Sequence, residues 1–129
     1  MQKTEKKPSE VIQDFVEYLN VTKDAYEQAK KKCEEYDSVE RLIHWAHKFE
    51  FAKDKLERNR LATAYQKERQ DRRKFKDICD TYETIYKFIT SDNNKSTLKR
   101  MRGMVNFQKG QEDYVDGDRV YKGDKHDSN

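Results

Sequence analysis

The chain has 129 residues, enough for one domain and too few for a second large core. Charged residues make up 41% and hydrophobic residues 33%, a balance that excludes a thick globular core and leaves order dependent on how the apolar residues are arranged. Its 28 basic and 25 acidic residues are interspersed and leave a formal charge of +3, short of the basic excess of a dedicated nucleic-acid binder.

The apolar residues are not scattered. They recur at steps of three and four, with only one Pro and four Gly, so an all-α class with slender helices is expected. Eight Tyr against six Phe suit half-buried positions, ring inside and hydroxyl in water. Cys33 and Cys79 form neither a disulfide framework nor a metal knuckle. There is no apolar run of spanning length, and the start MQKTEKKPSE lacks the apolar segment of a signal peptide. The expectation is a cytoplasmic protein with no membrane partner.

Residues 1–8 are expected to be a flexible N-terminus. Pro8, Ser9 and Glu10 then mark a helix start, with Ser9 placed to cap amides near Ile12. Ile12, Phe15, Leu19, Thr22, Tyr26, Ala29, Cys33 and Tyr36 alternate three and four, predicting a helix of roughly 40 Å ending near Tyr36. Asp37 with Glu40 has the spacing of a capping box in the wider sense. A short helix follows from Val39 to about Phe49, with Val39, Leu42, Ile43, Ala46 and Phe49 on one side and Trp45 off that stripe. Phe49 to Ala52 is either a turn or a kink within one helix.

The chain is organised around the stretch from about Lys53 to Ile89, which predicts one long helix. Its seam is Leu61, Tyr65, Glu68, Arg72, Phe75, Cys79, Tyr82, Tyr86 and Ile89, and two of those positions are charged. Ser91 to Asn94 predicts a loop. A last helix is expected over Lys95 to Tyr114, with Leu98, Met101, Val105, Gln108 and Glu112 at heptad spacing. Gly103 inside it implies close approach of another helix or a small bend, and Gly110 is an alternative end. Residues 115–129 read as a turn-rich, partly disordered tail, with a short extended piece at Val120 and Tyr121 between two Gly turns.

The expected fold is therefore an elongated antiparallel helical bundle, or coiled-coil hairpin, of three long helices and one short helix over residues 9–114. Pairing the first and third helices with Tyr36 level with Lys53 puts Cys33 near Glu57, far from Cys79. Both thiols then serve as small apolar fillers. A hairpin about Asp92 brings Glu112 near Arg72. Three readings of the charged seam stand open: a buried network of Glu68, Arg72 and Glu112, an outward rotation of the seam, or Glu68 paired across a homodimer.

Candidate sites are few. His44, His47 and Glu50 follow one another at i,i+3, with Asp54 four further on, and offer imidazole and carboxylate ligands for a metal. They lack the His-Glu-x-x-His arrangement, and no nucleophile stands beside them. No cofactor is expected, and the reading is not an enzyme. The basic run Arg60 to Lys76, and Lys99, Arg100 and Arg102 after it, are the stronger signal. Lys67, Lys76, Lys99, Arg100 and Arg102 are placed for phosphate contact. A charge run on a long helix is also simply its solvated face.

From about Ile43 to Lys122 the chain resembles a group of small uncharacterised helical proteins encoded by phages and prophages of Gram-positive bacteria. The resemblance rests on His47 with Glu50, on the run Arg69, Arg72, Arg73 and Lys76 with Asp77, and on the ending Arg119 to Lys122. Gly123 stands where that group has Pro. The resemblance implies a phage context and a helical hairpin, and no known activity. It leads to the expectation of a non-enzymatic interaction module that binds a larger host or phage protein, such as a defence nuclease, through exposed Arg69, Arg73 and Lys74. Nucleic-acid binding by the basic face is the alternative, and a structural coiled-coil oligomer or homodimer the third reading.

Overall fold

A computed structural model of the chain describes residues 5–117. They form four helices: α1 (Pro8–Tyr36), α2 (Val39–Glu50), α3 (Lys55–Thr90) and α4 (Asp92–Asp116). No strand occurs among the described residues, and no helix is long and apolar enough to cross a membrane. The class is all-α. The expected tail piece at Val120 and Tyr121, and the ending Arg119 to Lys122, lie outside the described residues.

Contacts divide the chain into two units, one holding residues up to Leu19 together with those from Ile89, the other spanning Asn20–Phe88. In the first, the start of α1 meets α4. Ser9, Val16 and Leu19 are buried on one helix, and Leu98 and Val105 on the other. Ser9 gives both its backbone N–H (2.8 Å) and its hydroxyl to the Glu112 carboxylate, and Lys7 pairs with Asp116 at 3.1 Å. These pairs run in opposite directions along the two helices, so α1 and α4 are antiparallel here.

Several expectations fail at this point. Ser9 is not a helix cap: the backbone carbonyl of Lys7 starts the helix and Glu10 reaches back to the Lys7 amide at 2.8 Å. The expected pairing of Glu112 with Arg72 is also replaced, since Glu112 bonds Ser9 and Arg72 bonds Asp37. Within its unit α4 buries Leu98 and Val105 of its heptad, and Ser9 takes the Glu112 carboxylate. The expected loop at Ser91 to Asn94 shrinks to Ser91, because Asp92, Asn93 and Asn94 enter the first turn of α4, where short polar residues are as suited as in loops. Gly103 and Gly110 have open space where a Cβ would stand, so close approach of a helix does not explain either, and α4 runs through both.

In the second unit α1 and α3 are antiparallel in a register very different from the expected one. Tyr26 stacks on Tyr86 with ring centroids 4.1 Å apart, Tyr36 meets Phe75 at 6.2 Å, and the Cys33 thiol donates to the Arg72 carbonyl at 3.9 Å. Tyr36 is thus level with Phe75, not with Lys53. The reason is α2, which occupies the first part of α3 and displaces α1 along it. Cys33 and Cys79, expected far apart, meet as buried free thiols in one groove. Burial pushes the Cys79 thiol up from its ordinary value, and the neighbouring Cys33 adds to that.

Candidate functional site

The junction of α2 with α3 gathers most of the polar and aromatic side chains that sequence alone left unassigned. It begins with the turn between α1 and α2. Ser38, not Asp37, caps α2: its backbone is extended and its hydroxyl oxygen accepts from the Arg41 amide at 3.2 Å. Asp37 is thereby free to face α3. It receives the Arg72 guanidinium on both oxygens, at 2.8 and 2.9 Å, and lies 3.5 Å from Arg69. The Arg72 hydrogen bond holds the Asp37 carboxyl below its ordinary value. A planar guanidinium on a carboxylate fixes orientation as well as distance, so this pair clamps the turn to α3.

One turn earlier on α3, Glu68 faces α2. Arg41 forms an ion pair with it, and the Trp45 indole N–H donates to its Oε2 at 2.9 Å. The Arg41 guanidinium also lies 5.7 Å over the Trp45 ring. Only 11% of the Glu68 side chain is exposed. Burial works to raise its pKa, but the hydrogen bonds from Arg41 and Trp45 outweigh that and hold the carboxyl below its ordinary value. Among the described residues no buried side-chain polar atom lacks a partner, so the network is closed.

The expected network of Glu68, Arg72 and Glu112 is therefore not formed as a unit. Each member takes a partner from a different element: Glu68 from α2, Arg72 from the α1–α2 turn, Glu112 from the start of α1. The partners that sequence reading missed are Asp37, Arg41 and Trp45. A signal existed for two of them, since Arg41 and Trp45 stand at i,i+4 on a helix, where a cation and a ring can meet. Nothing in sequence placed Glu68 opposite them.

Because α2 turns its Arg41 and Trp45 side to α3, its apolar stripe is left uncovered. No residue of α2 is buried, and Val39, Leu42 and Ile43 are 67%, 70% and 61% exposed. The shared side that the sequence predicts for these residues is thus an exposed one. Leu42, Ala46 and Phe49 line an open groove of about 390 Å³ together with Tyr36, Tyr65 and Arg69. Trp45 and Phe49 both set their ring edges against Tyr65, at 5.3 and 6.3 Å, which fixes the aromatic floor.

The other predicted residues are dispersed. His44 packs edge-on against Trp45 at 5.3 Å, and His47 lies 4.7 Å from Phe51. Asp54 accepts from the Glu57 amide at 2.8 Å as the cap of α3. Glu50 ends α2. No group of three His, Cys, Asp or Glu among the described residues is placed to hold a metal ion. Along α3, Lys67 and Lys74 flank Asp71 at 3.6 and 3.9 Å, and Lys76 pairs with Asp80 at 2.9 Å. Arg73 is exposed and makes no ion pair among the described residues, as is true of Lys99, Arg100 and Arg102 on α4. Compared with protein-family models, curated proteins and solved structures, the chain matches none.

Proposed function

We propose that the chain is a non-enzymatic protein-interaction module that binds a larger protein through the uncovered face of α2 and the groove beside it. The observation that carries this reading is the exposure of Leu42 and its neighbours beside a floor of packed aromatic rings. A fixed aromatic floor with an open apolar wall suits an amphipathic helix or extended segment, whose side chains enter the groove as anchors. Arg69 in the groove lining, with Arg73 one turn further on the same helix face and Lys74 beside it, calls for acidic residues flanking those anchors. The phage context implied by the sequence resemblance makes a host or phage protein, such as a defence nuclease, the proposed partner.

Several features support binding in preference to chemistry. Both carboxylates at the groove, Asp37 and Glu68, are already engaged by cations, and neither is poised as a free acid or base. The lysines of α3 that were placed for phosphate contact stand beside Asp71 or Asp80 on their own helix, which weakens the nucleic-acid alternative.

The test is retention of a partner from nuclease-treated host and phage-infected lysate by the wild type, Leu42→Asp, and Arg69→Ala/Arg73→Ala. One protein held by the wild type and lost by both variants is the expected result. Retention that vanishes on nuclease treatment would instead favour nucleic acid as the ligand. Retention unchanged by Leu42→Asp would remove the groove from the reading.

A further inference from the structure

The unit formed by the start of α1 and by α4 is a pair of helices, and a pair leaves two broad sides uncovered. On α1 the contact stripe is Ser9, Val16 and Leu19; a second apolar stripe, Val11, Phe15 and Tyr18, is 53%, 44% and 50% exposed. On α4 the contact stripe is Leu98 and Val105, while Met104, Phe107 and Val115 are 46%, 72% and 57% exposed. At 3.6 residues per turn, each exposed stripe lies roughly a quarter to a third of a turn from its contact stripe. The rotation has the same sense on both helices. In an antiparallel pair that puts both stripes on one side. Pro8 and Val115 lining a common groove at the α1–α4 junction is consistent with this placement.

Charge is sorted the other way. Glu10 and Glu17 of α1, and Lys95, Lys99 and Arg102 of α4, fall on the opposite side of the pair. The exceptions are Arg100 on the apolar side and Asp14, which borders the stripe between Val11 and Tyr18 and is paired with Lys6. In a chain that is 41% charged, such sorting marks a surface from which charge is excluded.

We infer that this face is the contact through which two copies of the chain associate, a two-helix layer of one copy packing on that of the other as an isologous four-helix arrangement. Area favours that occupant. At roughly 150–250 Å² per large side chain, the six exposures amount to roughly 600 Å² of bare apolar surface. That approaches the ~800 Å² per partner of a standard interface and stands at the top of what a monomer leaves uncovered. A face with one cation, bordered by an aspartate already paired with Lys6, also has little with which to select a partner of opposite charge, whereas a twofold contact needs only self-complementary shape. The inference is independent of the groove at α2, since every residue it uses lies in the other unit.

The experiment is sedimentation equilibrium of the full chain, with Phe15→Asp/Phe107→Asp, Phe107→Asp alone and Glu17→Lys as variants. The wild type is expected at twice the 15.6 kDa chain mass. Its Kd is expected to change less than about threefold between 0.1 and 0.5 M NaCl, because no charged pair holds the contact. The double aspartate variant is expected to weaken association by more than about 100-fold with helical circular dichroism retained, as loss of central aromatic anchors does. Phe107→Asp alone, at a position exposed enough to spare the fold, is expected to weaken it by at least about 30-fold, and Glu17→Lys to leave it unchanged. A wild-type monomer at ~100 μM overturns the inference, whether the face is then bare or covered by residues 118–129 of the same chain. A dimer indifferent to Phe107→Asp overturns it as well.

Discussion

The two units stabilise the same helix, α1, by different means. Beyond Asn20 its neighbours are α2 and α3, and the contacts there are directional: a bidentate Arg72–Asp37 pair, the Arg41–Glu68–Trp45 network and the Tyr26–Tyr86 stack. Before Leu19 its neighbour is α4, and a few branched aliphatic residues meet, with polar contacts near one end. Where the apolar supply is thin, directional groups fix the register, because a hydrogen-bonded carboxylate tolerates no slip of a turn. A plain apolar stripe permits more freedom and also leaves more surface uncovered. Perturbing each unit should therefore give a different signature.

The largest effect is expected in the plain unit. Leu98 is 4% exposed, and Leu98→Ala removes three buried carbons and leaves a cavity. A loss of about 2–4 kcal/mol is expected from denaturant unfolding monitored by circular dichroism. Glu68→Ala should come next, at about 1–3 kcal/mol, because it strands the Trp45 N–H and the Arg41 guanidinium beside it. Glu68→Gln keeps an acceptor and should cost less. If Glu68→Ala were neutral while Leu98→Ala was severe, the directional unit would not be fixed by its network.

Helix existence was largely legible in the sequence, because heptads such as Ile12 to Tyr36 carry the helical period, although Phe15 of that heptad is exposed and Val16 beside it is buried. The all-α class followed from them. What pairs with what was not legible. Equal-rise reasoning placed Tyr36 at Lys53 since nothing in sequence says that α2 occupies the first part of α3. The charged seam at Glu68 and Arg72 was visible as an anomaly, but its partners Arg41 and Asp37 come from other elements, and ion pairs between helices have no sequence spacing. The groove was invisible for the same reason: the stripe of α2 looks like a core face until Arg41 and Trp45 are seen to take the inward side.

Acid should affect the directional unit next in magnitude. Asp37 and Glu68 titrate below their ordinary values of 3.8 and 4.5 in the folded chain. A depressed carboxyl contributes stability that is complete above its unfolded value and is lost as pH falls through the folded one. The melting temperature should therefore change little from these groups between pH 7 and about 5 and fall below the ordinary carboxylate range. Glu68→Gln should flatten that fall. Arg72→Ala should flatten it less, and lower stability by only about 0.5–1 kcal/mol, since its partner Asp37 is 44% exposed and solvent screens the pair.

The smallest effect has the opposite sign and probes α4. Gly103 and Gly110 stand inside this helix with nothing beyond the helix's own nearby backbone within 4 Å of where a Cβ would project, and neither has positive φ. Replacing a helical glycine by alanine narrows the unfolded ensemble and costs nothing where the methyl group meets open space. Gly103→Ala and Gly110→Ala should each raise stability by about 0.5–1 kcal/mol. Gly117 is the internal contrast. It ends α4 with its amide on the Asp113 carbonyl at 2.9 Å, and a Cβ there would also approach that oxygen to 2.9 Å, too close for a backbone atom to accommodate without a shift. Gly117→Ala should therefore fail to stabilise. If all three substitutions behaved alike, the end of α4 at Gly117 would be wrong; if the first two destabilised, another element would have to lie against α4 at Gly103 and Gly110.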